Sequence, residues 1–383
     1  MTERMVVQTD GERSPSNVPL VLHVIPTALA RGAQREARAL ADELDSPGVR
    51  CHRLLSLFDG PSEVATDFSL DYPGGDAPAI GFDFRLVRRL RAELARLAPA
   101  VVVAHGSEPL KYLVPAGFGH GRPIAYYAIG TYSGSSRRLQ LWMWRYLVRR
   151  ADVVAAEGQE VLDECVSRLG VPAHRAMLAP NGRDPESFHP RVSEDDSSPP
   201  LVMFVGALTN GKRPDRFVEV VAELRARGIA LRAELIGDGP LRTTVSGPAQ
   251  VANIALFGSR SDVAQQLRRA DVFVFPSRPA GEGMPGVLIE AGLSGVPVVA
   301  TAVPGVNELM KEGETGFVVG VDDLPAMVTA TARLLDDPEL RASMGRAARQ
   351  HCLDNFTLVK VAARWVEILQ PLVDANGRRC HGR

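Results

Sequence analysis

Runs of contiguous apolar residues alternate along the chain with stretches whose apolar positions recur every three or four residues. PLVLHVIP (19–26) reads as a buried strand closed by proline, and AQREARALADEL (33–44) reads as a helix. APAVVVAH, RPIAYYAIG and ADVVAAE repeat the strand pattern between helical stretches. Such alternation predicts a parallel sheet covered on both faces. The pattern breaks over residues 181–200, where NGRDPESFHPRVSEDDSSPP holds four prolines and almost no large apolar residue. It then restarts with LVMFVG, LRAELIGDG, NIALFG, DVFVFPS, PVVATAV and GFVVG. The expected organisation is a polar arm over 1–18, an α/β unit over 19–185, a linker over 186–200 and a second α/β unit over 201–357. A helix over 358–373, packing back toward the first unit, and a frayed tail over 374–383 complete it. Two such sheets in tandem place a ligand cleft between them, beside the carboxyl ends of their strands.

Composition narrows the function classes. An apolar fraction of 45% and a charged fraction of 23% over 383 residues exclude wholesale disorder. With 44 Lys+Arg against 45 Asp+Glu, the chain lacks the charge of a nucleic-acid-coating protein. Cys51, Cys165, Cys352 and Cys380 lie far apart, which argues against a disulfide framework or a zinc knuckle. The longest apolar runs fall short of the ~18 residues that span a bilayer, and the first residues carry no continuous apolar signal region. The expectation is a cytoplasmic protein. Charge is nevertheless uneven: residues 77–150 hold twelve Lys+Arg and three Asp+Glu. Within them, RRLQLWMWRYLVRR (137–150) sets Leu139, Met143 and Leu147 on one stripe and Arg138, Trp142, Arg145 and Arg149 on another. Two readings stay open. Either this segment and basic residues 85–96 touch anionic lipid, or it is a core helix whose arginines face water.

The segment richest in chemistry is PSRPAGEGMPGVLIEAGLSGVPVVAT (276–301). A buried strand ends at Ser277, a Gly/Pro-rich loop follows, and a helix starts near Pro285 or Gly286. The loop presents backbone N–H groups at a helix N-terminus, a cradle for anions or hydroxyls. Glu282 and Glu290 have seven residues between them. If most of that interval is helical, they stand roughly 10 Å apart along the axis. Retaining glycosidases hold their carboxyl pair ~5 Å apart, so these two read either as clamps on one elongated ligand or as an ordinary surface loop and a helix carrying one solvated Glu.

E-x7-E after a strand ending in Pro-Ser resembles the signature of family 4 retaining glycosyltransferases. Other segments agree in order. APNGRDPESFHP (179–190) is similar to their inter-domain P-N-G-x-D-x-x-x-F-x-P, and FVGALTNGKRPD (204–215) to their V-G-R-L…K segment. LIGDGPL (235–241) resembles their I-G-D-G-P turn, and PGVNEL…EGETGFVV (304–319) their G-x-x-E…G-x-T-G-F stretch. The resemblance implies the GT-B fold: two Rossmann-like domains facing across a deep inter-domain cleft. It also implies a sugar moving from a nucleoside diphosphate donor to a glycan, lipid-linked or small-molecule acceptor, with retention at the anomeric carbon.

Roles for the matching residues follow from that resemblance. Lys212 neutralises the donor diphosphate, Glu282 holds the transferred sugar, and Glu290 accepts from the ribose hydroxyls. Gly283, Met284, Pro285 and Gly286 line the loop, and Gly32 brings backbone toward the phosphates from the opposite domain. Three departures stand out. The family's arginine beside the V-G turn falls on Ala207, for which Arg213 or Arg278 is the expected substitute. The histidine after an N-domain strand falls on Ile129, and His105 on the neighbouring strand is not carried into that role. The paired glycines of the first loop read Arg31-Gly32. GDGPLR (237–242) lacks the third glycine of a dinucleotide fingerprint, and no D-x-D pair occurs, so neither a nicotinamide cofactor nor a metal is expected. Rival readings on this architecture are a non-catalytic sugar-nucleotide binder and a sugar-nucleotide epimerase.

Overall fold

A computed structural model describes residues 18–29, 32–45, 51–73, 83–119, 121–131, 138–192, 198–280 and 282–381. The arm over 1–17, Arg31, Arg137, residues 193–197 of the linker and the last two residues of the tail lie outside the described residues.

The first unit runs β1 (Val21–Ile25), α1 (Gly32–Leu44), β2 (His52–Phe58), β3 (Phe68–Tyr72), α2 (Phe84–Leu97), β4 (Val101–His105) and α3 (Ser107–Gly117). It continues through β5 (Ile124–Ala128), α4 (Arg138–Val148), β6 (Val153–Ala156), α5 (Gln159–Ser167) and β7 (Ala176–Leu178). The seven strands are parallel, in the order β3-β2-β1-β4-β5-β6-β7. β1, β4 and β5 are buried at every position. Central parallel strands covered on both faces have no solvated side, so their sequences read as unbroken apolar runs. β2 and β3 mix polar residues into HRLLSLF and FSLDY, which hid them from a reading that looked for such runs.

The second unit repeats the winding. It comprises β8 (Leu201–Val205), α6 (Pro214–Ala226), β9 (Arg232–Ile236), α7 (Arg242–Val251), β10 (Ala255–Phe257), α8 (Val263–Leu267) and β11 (Val272–Phe275). α9 (Gly286–Leu293), β12 (Val298–Thr301), α10 (Val306–Leu309), β13 (Gly316–Val319), α11 (Leu324–Asp336) and α12 (Pro338–Asn355) follow. Its parallel order is β10-β9-β8-β11-β12-β13. In each sheet the winding reverses beside the first strand, between β1 and β4 and between β8 and β11. The carboxyl ends at such a reversal diverge and leave a crevice.

α13 (Leu358–His381) runs past Asp374, where a frayed tail was expected. Asn376 Nδ2 donates to Ala100 O at 3.0 Å, which holds the extra turns against the first unit. Higher up the helix, Trp365, Ile368 and Leu369 pack with Val103, Ala125 and Tyr127 of the first sheet. α4 also differs from its expected face. Trp144, Leu147 and Val148 are buried, whereas Leu139, assigned to the same stripe as Leu147, is 67% exposed. Leu141 and Met143 also pack against the core, so of the stripe only Leu139 stands clear of it.

Candidate active site

The loops after β8 and β11 meet at the second sheet's reversal. Lys212, on the first of them, directs Nζ at both carboxylate oxygens of Glu282 on the second, at 2.7 and 2.9 Å. Glu282 is buried, and Lys212 stays partly open to the cleft. The GDGP turn approaches from β9. A Cβ on Gly239 would meet Leu208 backbone atoms at 2.7 Å, so only glycine permits that turn to close over the β8 loop.

α9 starts at Gly286 with Pro285 as its N-cap, and no side chain caps it. Its first backbone N–H groups are therefore free for a ligand. Only the last stretch of the Glu282–Glu290 interval is helical, so the separation expected for a mostly helical interval does not apply. Glu290 Oε1 accepts from Arg183 Nε at 2.7 Å. Arg183 also pairs with Glu36 on α1, joining the two units at the floor of the cleft. Burial raises the Glu36 carboxyl above its usual range, against the pull of Arg183.

A cavity of about 640 Å³ lies between the units. Lys212, Pro285, Gly286 and Glu290 line it from the second unit, and Gly32 from the start of α1 opposite. Gly283 and Met284 instead face the first unit. Asn181 Nδ2 donates to Met284 O at 2.7 Å, and a Cβ on Gly283 would collide with Glu157 Oε1. The two arginines expected to replace the cation missing at Ala207 are engaged elsewhere. Arg213 is buried against Asp215 and Asp322, and Arg278 is 3.4 Å from Asp322. Neither lines the cavity. Arg213 caps the start of α6 in the left-handed region, φ 53°.

The first unit carries its own cavity, about 220 Å³, at the carboxyl ends of β1 and β4. Gln34, His105, Gly106, Ser107, Glu108 and Ile129 are among its walls. Gln34 Oε1 and His105 Nδ1 are buried without a hydrogen-bond partner among the described residues. His105 belongs to a row of imidazoles: His23 bonds His105 through one ring nitrogen and His52 through the other, both at 2.9 Å. Burial lowers all three, His52 to about 4 and His105 to about 3, so each is neutral at pH 7. The sequence reading missed Arg183, Glu36, Glu157, Asn181, His23 and His52. Arg183 had one visible signal, a basic residue in the variable slot of P-N-G-x-D.

Two domains of this winding, facing across a cleft lined by loops from both reversals, define a GT-B protein. Residues 30–187 match the family described as Glycosyltransferase Family 4, and residues 199–337 the one described as Glycosyl transferases group 1. An alpha-D-kanosaminyltransferase of Streptomyces kanamyceticus is 33% identical over 54% of this chain and 57% of its own. A GDP-mannose-dependent alpha-(1-6)-phosphatidylinositol monomannoside mannosyltransferase of Mycolicibacterium smegmatis is 32% identical, covering 60% and 63%. The chain thus spans less than two thirds of the length of these two relatives. The lipopolysaccharide core biosynthesis mannosyltransferase LpsB of Rhizobium meliloti is 30% identical over 63% of this chain and 71% of its own. The crystal structure of Anabaena HepE in complex with UDP and glucose superposes with a TM-score of 0.78. It covers 92% of this chain and 100% of that one at 18% identity, a likeness of fold. The chain belongs to glycosyltransferase family 4.

Proposed function

We propose that this protein is a retaining glycosyltransferase that moves a sugar from a nucleoside diphosphate donor to an acceptor, without a metal cofactor. The observation that carries the reading is the convergence of Lys212, the uncapped start of α9 and Glu290 on one inter-domain cavity, with Gly32 facing them. Cleaving the sugar–phosphate bond develops positive charge on the ring and negative charge on the departing diphosphate. A preorganised ammonium and helix N–H groups stabilise that negative charge where it grows. Glu282 holds Lys212 in place and, freed by the incoming phosphate, accepts from the sugar's hydroxyls. Glu290 Oε2 takes the ribose hydroxyls. The acceptor hydroxyl attacks on the face the diphosphate leaves and passes its proton to the departing phosphate oxygen.

The acceptor end belongs to the 220 Å³ cavity of the first unit, where Gln34 Oε1 and His105 Nδ1 await hydroxyl partners. The relatives named above point to glycan, glycolipid or small-molecule glycoside biosynthesis as the setting. No described helix is long and apolar enough to cross a membrane. On α4, exposed Leu139, Trp142 and Tyr146 lie beside outward-facing Arg145 and Arg149, a combination suited to resting on anionic lipid. A lipid-linked acceptor would be met there.

The reading is tested with UDP-, GDP-, ADP- and TDP-sugars. One donor is expected to raise the unfolding temperature and to be turned over with its anomeric configuration kept. No stabilisation and no turnover with any of them would overturn it. Turnover is also expected to survive excess EDTA, and a loss restored by Mg²⁺ or Mn²⁺ defeats the metal-free route.

A further inference from the structure

The donor site just proposed is short of cations. A nucleoside diphosphate brings at least two negative charges, Ala207 offers none in return, and the Lys212 ammonium is shared with Glu282. Among the described residues, three cationic side chains line the inter-domain cavity: Lys212, Arg35 and Arg183. Arg35 is exposed on α1. Arg183 is different, because its backbone and its guanidinium are both fixed.

Its N–H donates to Phe356 O at 3.0 Å, and its carbonyl accepts from Leu358 N at 2.9 Å. In the side chain, Nε is held by Glu290 and Nη1 by Glu36 and by Gly182 O at 2.8 Å. The remaining nitrogen, Nη2, donates to no group among the described residues. It occupies the place that a side chain at Gly286 would take, against the first residue of α9. A cation is disfavoured at the positive end of a helix. Here two carboxylates hold it there, beside helix N–H groups that no side chain caps. Nη2 thus lies beside the first residue of α9, and an anion bridging it and the helix N–H groups satisfies both.

We propose that Arg183 is a donor-binding residue: Nη2 and the Gly286 end of α9 together grip the donor's diphosphate, supplying the cation that Ala207 does not. Nε meanwhile fixes Glu290 with Oε2 left for the ribose. The assignment rests on the donor-site reading above and extends it to a residue in the crossover between the units.

The test is calorimetry on the full chain with UDP, GDP, ADP and TDP, each beside its nucleoside. Wild type is expected to bind one diphosphate more tightly than the matching nucleoside. Arg183→Gln leaves the buried Glu36 without its cation, so the double variant Glu36→Gln/Arg183→Gln is measured with it, each checked for a wild-type circular dichroism spectrum. Both are expected to lose roughly 10- to 100-fold in diphosphate affinity, the scale of one charge-assisted hydrogen bond, and distinctly less for the nucleoside, which loses only the Nε anchor of Glu290. Adding Ala207→Arg to the double variant should restore most of the loss. Unchanged or tighter diphosphate binding in the folded double variant overturns the assignment and leaves Arg183 a strut between α1 and α9. If wild type binds none of the four diphosphates, the donor-site reading itself fails and Arg183 falls with it.

Discussion

The two halves share a winding and differ in where two sets of ionisable side chains sit, Lys212 with Glu282 and the three histidines. In the second unit they sit on loops beyond the strand ends, Lys212 and Glu282 above β8 and β11, over a core built of apolar side chains. In the first unit they lie within the sheet, where His23, His52 and His105 bond one another across β1, β2 and β4. Polar groups on loops keep solvent as an alternative partner and can trade one partner for a ligand. The rings inside the sheet bond one another, leaving His105 Nδ1 to the cavity, and their low-dielectric surroundings fix their protonation state. The second unit is built to exchange partners, the first to hold a shape.

The sharpest test of exchange is at Lys212. In the proposed reaction its contact with the diphosphate strengthens as the sugar–phosphate bond breaks, so Lys212 would contribute to rate more than to donor affinity. Lys212→Ala is expected to lower kcat by roughly 10²–10³, the range for losing one preorganised donor. Steady-state kinetics beside Arg213→Ala and Arg278→Ala checks it. Near-full kcat in Lys212→Ala, with collapse in either arginine variant, would move the phosphate clamp off Lys212.

The imidazole row offers the opposing test. Each ring has its folded-state pKa below the ordinary 6.5, so the unfolded chain binds protons that the folded one refuses. The stability tied to neutral rings is present above pH 6.5 and is lost as pH falls below it. Between pH 7 and 5.5 the row should cost the first unit about 1 kcal/mol per ring. Hydrogen exchange separates the units: β1 and β4 amides should lose protection on acidification before those of β8 and β11. Equal losses in both sheets contradict the contrast.

Glu290 lies on the border between the two behaviours, because it serves the cleft while tied to Arg183. Its replacement by alanine should weaken donor binding by about 2 kcal/mol, the scale of a charge-assisted hydrogen bond. Calorimetry with the preferred donor decides it. An unchanged dissociation constant removes Glu290 from the ribose site.

The same contrast governs what the sequence disclosed. The second unit's site follows glycine- and proline-marked turns between apolar runs, and turn chemistry is local, so Glu282, Gly286 and Glu290 could be picked out by spacing and Lys212 by the family resemblance of its segment. The first unit's polar groups carry no such mark. His23 interrupts VLHVI as one polar letter in an apolar strand, and its partners lie 29 and 82 residues away. Arg213 and Arg278 stood near the right loop in sequence, yet Asp215 and Asp322 claim them, and Asp322 lies 109 residues beyond Arg213. Arg183 was hidden for the same reason. Its carboxylate partners are on α1 and α9, and only the packed cleft brings them to one guanidinium.

Glu157 offers the smallest and most local test, because it is an ionisable group of the first unit placed against the second. Its Oε1 accepts from Gly130 N at 2.6 Å and its Oε2 from Asn181 Nδ2 at 3.3 Å, while Gly283 leaves it room. Burial, with a further push from the Glu36 charge, raises it from 4.5 to about 7. Between those values the folded protein keeps a proton that the unfolded chain has released, so this group lowers stability as pH rises. The sign is opposite to that of the histidines. From pH 5.5 to 6.5 the effect is about 1 kcal/mol. Glu157→Gln cannot titrate, and its pH–stability curve should climb more steeply than the wild-type curve over that interval. The slope is the proper readout. An amide facing Asn181 makes a poorer hydrogen bond at every pH and shifts the whole curve down without tilting it. Parallel curves for wild type and Glu157→Gln would show that Glu157 is charged at neutral pH, and the contact around Gly283 would then join the second unit's charged cleft.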